Sequence, residues 1–524
     1  MSETSNPSAA LLKKLGQGLF LLGFAVFVAS LGLSEYRITD EVIQGLSDSG
    51  AVTNGIFLEE LGELKDQSFR SPFAFVAQLD AKIVEANARE AWISQWDVDN
   101  YKTAVAKAAS TGPVPANVTL FFWLTFMLAS AGALIDFLAR LRLEPAGIKN
   151  NGIFHSKAKS RGWIGIAAGV FFIGFYILLY FYPFYITNWI RLADPVSHAL
   201  RGQAADRWFF YGLLYTFCVL VMGVRFAVNY RHSKYQLVRT ASVTFFQLGF
   251  AFLIPAIMVA LNKPSYDLKL AWPLDYGFFA DYNINSLISS GTLGWAILLW
   301  GIALAILVVP ALAVFFGKRW YCSWVCGCGG LAETLGDPYR HLSDKSVKAW
   351  RIERWLIHAV LVFAVVMTAA VLADFFTGRS GEALFGGNSW KVRSWYGFLI
   401  GSIFAGVVGT GFYPLMGNRV WCRFGCPLAA ILGMVQKYQS RFRITTNGGQ
   451  CISCGNCSTY CEQGIDVRWY AQRGQNIIRS SCVGCGICSQ VCPRGVLRLE
   501  NGPMAGRYNE VSLVQIGQGR IDIG

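Results

Sequence analysis

The chain has 524 residues, of which 54% are hydrophobic and only 15% charged, where soluble domains carry about a quarter charged. Its 17 Trp, 21 Tyr and 38 Phe exceed what a soluble core needs, and so apolar a composition excludes a disordered chain. The net charge of +14 is read first as membrane topology, because basic residues beside apolar runs set orientation; no nucleic-acid partner is expected.

Apolar runs of about 20 residues, each long enough to cross a bilayer, recur eight times: 15–33, 117–138, 163–186, 208–228, 241–261, 292–316, 354–374 and 395–416. Lys13 and Lys14 precede the first. Its 19 apolar residues read as an uncleaved anchor rather than a signal peptide. Arg140, Arg142, Lys149, Lys157, Lys159 and Arg161 follow the second run, and Arg231, Lys234 and Arg239 the fourth. Lys318, Arg319, Lys345, Lys348, Arg351 and Arg354 follow the sixth, and Arg419, Arg423, Lys437, Arg441 and Arg443 the eighth. The intervening segments are poorer in Lys and Arg, so one orientation satisfies all eight spans, with both termini cytoplasmic.

Residues 34–115 form the one long segment on the opposite side, with net charge −6 and neither Cys nor His. The helical period over 73–90, opened by Ser71-Pro72, predicts a small acidic helical domain closing at Gly112-Pro113-Val114-Pro115. No metal or haem is expected there.

Polar groups in the spans are few. Arg225 and Asn229 lie near a span end, where snorkelling explains them. Five histidines are scattered: His155, His232 and His341 in loops, His198 on the opposite side, His358 in the seventh span. They provide no facing pair at one depth, so haem is not expected. No span carries a row of acidic residues, which argues against a proton pump.

The segments GKRWYCSWVC (317–326) and GNRVWCRFGC (417–426) align without a gap, each at the cytoplasmic end of a span. They are an internal duplication in one orientation. Two matching copies can face each other and gather Cys322, Cys326, Cys422 and Cys426. Four such thiols suit a third [4Fe–4S] cluster, a dithiol–disulfide pair or a soft metal such as Cu(I). The first copy continues Gly327-Cys328 where the second has Pro427; Cys328 is a spare thiol and a substitute ligand for Cys326.

Residues 431–524 form a polar tail with no span, expected in the cytoplasm. Cys451, Cys454, Cys457 and Cys461, then Cys482, Cys485, Cys488 and Cys492-Pro493, each read C-x2-C-x2-C-x3-C. In this run three thiolates hold one cubane and the fourth reaches the other cluster. Cys451, Cys454, Cys457 and Cys492 should hold one [4Fe–4S]; Cys482, Cys485, Cys488 and Cys461 the second. Zinc sites use one quartet of paired C-x2-C groups, not two interlocked quartets. Glu462 stands where the pattern usually has Pro, and is expected to lower the potential or loosen the turn.

With these motifs the region 292–498 resembles the membrane polyferredoxins of the NosR, NapH and CcoG type. The resemblance implies electron transfer between the quinone pool and a redox partner protein, or electron delivery for metalloenzyme maturation, with the eight tail cysteines as ligands of two clusters. In that family Pro follows the second cysteine of each pair, as at Cys426-Pro427 but not at Cys326-Gly327. A flavin is not carried over: residues 34–115 are too short for the flavin domain and lack its attachment motif.

The expectation is an all-α polytopic membrane protein with a cytoplasmic α+β ferredoxin-like domain. Its parts are 1–33 (first span), 34–115, 116–290 (spans two to five), 291–430 (the duplicated units) and 431–524. It is placed in a bacterial inner membrane, in contact with lipid, as a component of an oxidoreductase system. A copper-handling or electron-donating maturation factor is the alternative, and a transporter with a redox-sensing tail a weaker one.

Overall fold

A computed structural model describes residues 7–147, 162–379, 383–447 and 450–501, with the backbone of 516–517 and 520–521. Lys149, His155, Lys157, Lys159 and Arg161 lie outside the described residues. The chain is mostly helical. Seven described helices are long and apolar enough to cross a membrane: Pro7–Gly32, Val118–Leu143, Gly162–Phe181, Arg207–Asn229, Lys234–Ala260, Thr292–Phe316 and Val347–Thr377. The run at 395–416 is not among them. Helix there begins at Ser389 and passes into a π-helical stretch, Gly397–Val408. Its first turns carry Lys391 and Arg393, which lower its mean hydropathy, and it breaks into turns before Tyr413–Met416.

The chain divides into two compact units. The first comprises Met1–Pro145, Gly174–Val228 and Ala256–Asn262. In it, Pro7–Ala29 packs along Leu128–Leu143 at glycine contacts. A Cβ on Gly16 would lie 2.6 Å from both Asp136 N and Gly132 O, so small residues set this spacing, as in packed membrane helices. Asp136 is buried there because Gln17 and Arg140 donate to its two oxygens, at 3.1 and 2.7 Å.

Between these helices the chain folds four more, Asp40–Asp48, Gly55–Gly62, Pro72–Ala88 and Gln95–Ala109. Thr39, Asn54, Ser71 and Ser94 accept the first free N–H groups of the four. Phe57, Phe75, Leu79 and Val105 lie in their common core. A three-stranded antiparallel sheet, ordered Ser68–Phe69, Glu35–Arg37, Ser110–Thr111, ties the ends of the segment together. These strands are two or three residues long and leave no alternating pattern to read. Glu60, Glu63 and Glu85 gather around Lys82 as an ion-pair cluster.

The second unit comprises Ala146–Ile173, Asn229–Pro255 and Lys263–Gly524. Its largest core joins Ala313, Ile357, Ala364 and Leu432 with Cys322, Cys326, Cys422 and Cys426. A smaller core, with Phe442, Ile444, Val467 and Ile477, encloses Cys457, Cys482 and Cys488. Phe442–Thr446 pairs antiparallel with Leu497–Asn501, in register Phe442 to Asn501 and Thr446 to Leu497. This two-stranded sheet brackets the eight-cysteine segment.

Candidate functional site

The two copies of the paired motif build one local structure twice. Helices Val309–Phe316 and Tyr413–Met416 stop at Gly317 (φ +76°) and Gly417 (φ +93°). Glycine enters this left-handed region without Cβ strain. A short helical turn follows, carrying Cys322 or Cys422. The chain then doubles back: Cys326 N donates to Tyr321 O at 2.8 Å, and Cys426 N to Trp421 O at 2.9 Å. Cys326 and Cys426 both have extended backbone and cap the next helices, Gly327–Thr334 and Pro427–Tyr438. Cys426 Sγ accepts from Ala429 N at 3.4 Å. Each second cysteine thus sits at a helix N-terminus, where the dipole favours a thiolate, though burial outweighs this at Cys426 and pushes its thiol well up.

The copies meet. Cys322, Cys326, Cys422 and Cys426 line one cavity, with Cys328, Leu274, Tyr321 and Trp421. Tyr321 is fixed from the other side: its hydroxyl donates to Lys269 O at 2.7 Å and accepts from Ala271 N at 3.2 Å. Burial pushes the Cys322 thiol up to about 12. The Cys328 thiol donates to Cys326 and holds it low, at about 6. Cys328 therefore lies beside Cys326 in the same cavity.

Five of the eight tail cysteines, Cys451, Cys457, Cys461, Cys482 and Cys488, lie in or against the smaller core. Cys451, Cys454, Cys457 and Cys492 line a second cavity, near the surface, with Cys454 exposed. Cys485, Cys482, Cys461 and, most weakly, Cys457 lie within electrostatic reach of Cys488, and burial pushes Cys482 up to about 12. The halves repeat: Gly455 (φ +80°) and Gly486 (φ +77°) cap the one-turn helices that carry Cys457 and Cys488.

Four successive carbonyls of the loop 482–485 are each taken by a side chain distant in sequence. Gln436 donates to Cys482 O at 2.6 Å and Ser323 to Val483 O at 2.9 Å. Tyr235 donates to Gly484 O and Gln236 to Cys485 O, both at 2.8 Å. Ser323 lies inside the first motif copy and Gln436 on the helix opened by the second. The loop carrying Cys482 and Cys485 is therefore docked directly on the paired motif.

A buried charge network occupies the same junction. Arg419 reaches Glu333 at 2.5 Å and Glu462 at 3.1 Å. Arg340 reaches Glu462 at 2.9 Å and Asp337 at 3.1 Å. Arg239 completes the pairing of Glu333. Arg340, Arg419 and Glu462 are all fully buried. Burial alone would raise the Glu462 carboxyl, but Arg419, Arg340 and Arg239 outweigh it and hold the group at about 2. Ser343 binds the Glu462 carbonyl at 2.7 Å and Asn418 its carboxylate at 3.2 Å. The sequence marked Glu462 only as a departure from pattern; its hydrogen-bond partners Asn418, Ser343 and Arg340 lie 44, 119 and 122 residues away.

The donor chemistry fits iron–sulfur clusters. Five cysteines line one cavity and four another, enough thiols in each for the four ligands of a [4Fe–4S] cluster. Buried thiols with raised pKa values become thiolates most readily beside a bound cation.

A family model described as a 4Fe-4S binding domain matches residues 297–349 and 396–445, one segment around each motif copy. A second, described as a 4Fe-4S dicluster domain, matches residues 443–493. The protein named "Putative electron transport protein YccM" from Escherichia coli (strain K12) is 25% identical over 173 residues. That match covers 32% of this chain and 47% of the relative, so the chain spans less than half of that protein's length. No solved structure matches. The iron–sulfur similarity thus covers both copies of the paired motif and the eight-cysteine run.

Proposed function

We propose that the protein is an iron–sulfur electron carrier of a bacterial inner membrane, of the NosR, NapH and CcoG type. Cys451, Cys454, Cys457 and Cys492 hold one [4Fe–4S] cluster, and Cys461, Cys482, Cys485 and Cys488 a second. Cys322, Cys326, Cys422 and Cys426 hold a third. The single observation that carries the reading is the convergence of four thiols from two motif copies beneath a docked ferredoxin-like loop. Each bound cluster supplies reversible one-electron transfer.

The protein's own residues order the sites. Backbone carbonyls of loop 482–485 are fixed onto the paired motif, so the Cys482 group is the inner site of the tail. The Cys451 group, with exposed Cys454, faces a redox partner protein. The chain crosses the membrane eight times, with Ser389–Val408 forming most of the last crossing, and both termini are cytoplasmic. All three sites then lie on one side. A hydrocarbon layer of about 30 Å separates them from the other face, so quinone, or a partner subunit, carries electrons across.

The fifth thiol, Cys328, favours one second reading: a copper-handling or electron-donating factor in metalloenzyme maturation. Cys326 and Cys328 on the wall of one cavity are an arrangement that also suits thiol exchange or Cu(I).

Reduction of the anaerobically purified protein, followed by a water-soluble quinone, separates the two. Visible absorbance that bleaches with reductant and returns on quinone addition is the expected result. Copper retained at the Cys322 and Cys422 site, with no return on quinone addition, contradicts electron exchange with quinone and favours the second reading.

A further inference from the structure

We infer that Glu462 is an electrostatic coupler between the paired-motif site and the inner ferredoxin site, one buried carboxylate that sets the reduction potential of both. This rests on the proposed clusters at Cys322/Cys326/Cys422/Cys426 and at Cys461/Cys482/Cys485/Cys488.

The geometry is a bridge. Glu462 is ion-paired to two arginines, Arg419 at 3.1 Å and Arg340 at 2.9 Å. Each arginine also donates to a cysteine sulfur, and the two sulfurs belong to different sites. Arg419 Nη1 reaches Cys422 Sγ at 3.7 Å, and Arg340 Nη1 reaches Cys485 Sγ at 3.9 Å. The path from one sulfur to the other runs Cys422, Arg419, Glu462, Arg340, Cys485. None of the three intermediate side chains meets solvent.

Charge so placed acts strongly. Interactions between buried groups are screened far less than at the surface. A reduced site carries one more negative charge, which the arginines favour and Glu462 opposes. Hydrogen bonds to cluster sulfur act in the same sense as the arginine charge. Glu462 withholds part of each arginine's positive field from both sites. An ordinary ferredoxin turn needs no charge at this position, where Pro is usual, so the carboxylate answers to the junction rather than to the turn.

The test is an EPR-monitored redox titration of the full-length protein and of Glu462→Gln, with iron counted in each. Glutamine keeps the size of the side chain and its bond to Asn418. The expected result is full iron and an upward shift of the midpoint potential at both sites. A shift confined to one site, or none, overturns the inference while leaving the clusters themselves in place. Wild-type protein that lacks a paired-motif cluster overturns both the inference and the reading beneath it. Should Glu462→Gln lose iron, Arg340→Gln leaves Glu462 paired with Arg419. It is expected to lower the potential of the Cys485 site more than that of the paired site; equal shifts, or none, overturn the inference.

Discussion

Gly317 and Gly417 occupy the same left-handed backbone region, and both are hemmed in. A Cβ at Gly417 would lie 2.7 Å from Ser343 N, and one at Gly317 would lie 2.7 Å from Phe442 Cβ. Positive φ with ψ near 180° is open almost only to glycine and costs another residue about 1–3 kcal/mol, and the close contact adds to this. Gly417→Ala is therefore expected to destabilise the protein by about 1–3 kcal/mol, seen as a lower thermal unfolding midpoint in detergent. An unchanged midpoint contradicts the account. These glycines were legible as part of a repeated motif, and so were the twelve cysteines, because spacing along the chain encodes them. What spacing does not encode is how the copies diverge. Arg319 and Arg419 align, yet Arg319 stacks on Phe442 while Arg419 is buried between Glu333 and Glu462. That difference arises from partners in other segments.

At the scale of elements, the loop 482–485 is positioned by helices rather than by its own turns. Its four carbonyls are taken by Gln436, Ser323, Tyr235 and Gln236. Gln236 lies 249 residues from Cys485, so no local pattern announces it; a glutamine at the start of an apolar helix was the available signal. Gln236→Ala leaves the Cys485 carbonyl buried without its donor, at a cost of about 1–3 kcal/mol. Iron at the inner site should then be lost faster to a chelator. Unchanged iron loss contradicts the docking role. Element boundaries show the same division between local and distant causes. The helix Pro72–Ala88 follows its Ser71-Pro72 start signal, whereas the strands beside it owe their pairing to chain closure. The helix over 389–408 is too mixed at its start to match the other seven in hydropathy, although its second half is mostly apolar.

On the scale of the whole molecule, the compact units do not follow sequence blocks. The first unit collects three separate stretches and the second takes what lies between and after them. Every proposed redox ligand lies in the second. There the duplicated motif provides one proposed set of four thiols and the ferredoxin-like segment two more, and the arginines paired with Glu462 reach Cys422 and Cys485. The paired motif is the central claim, since without its cluster the junction has nothing to couple. The measurement that tests it is iron and acid-labile sulfide per chain on anaerobically purified protein, with the Cys422→Ser variant beside it. Three clusters predict about twelve iron atoms, falling to about eight in the variant. About eight in both would contradict the third cluster.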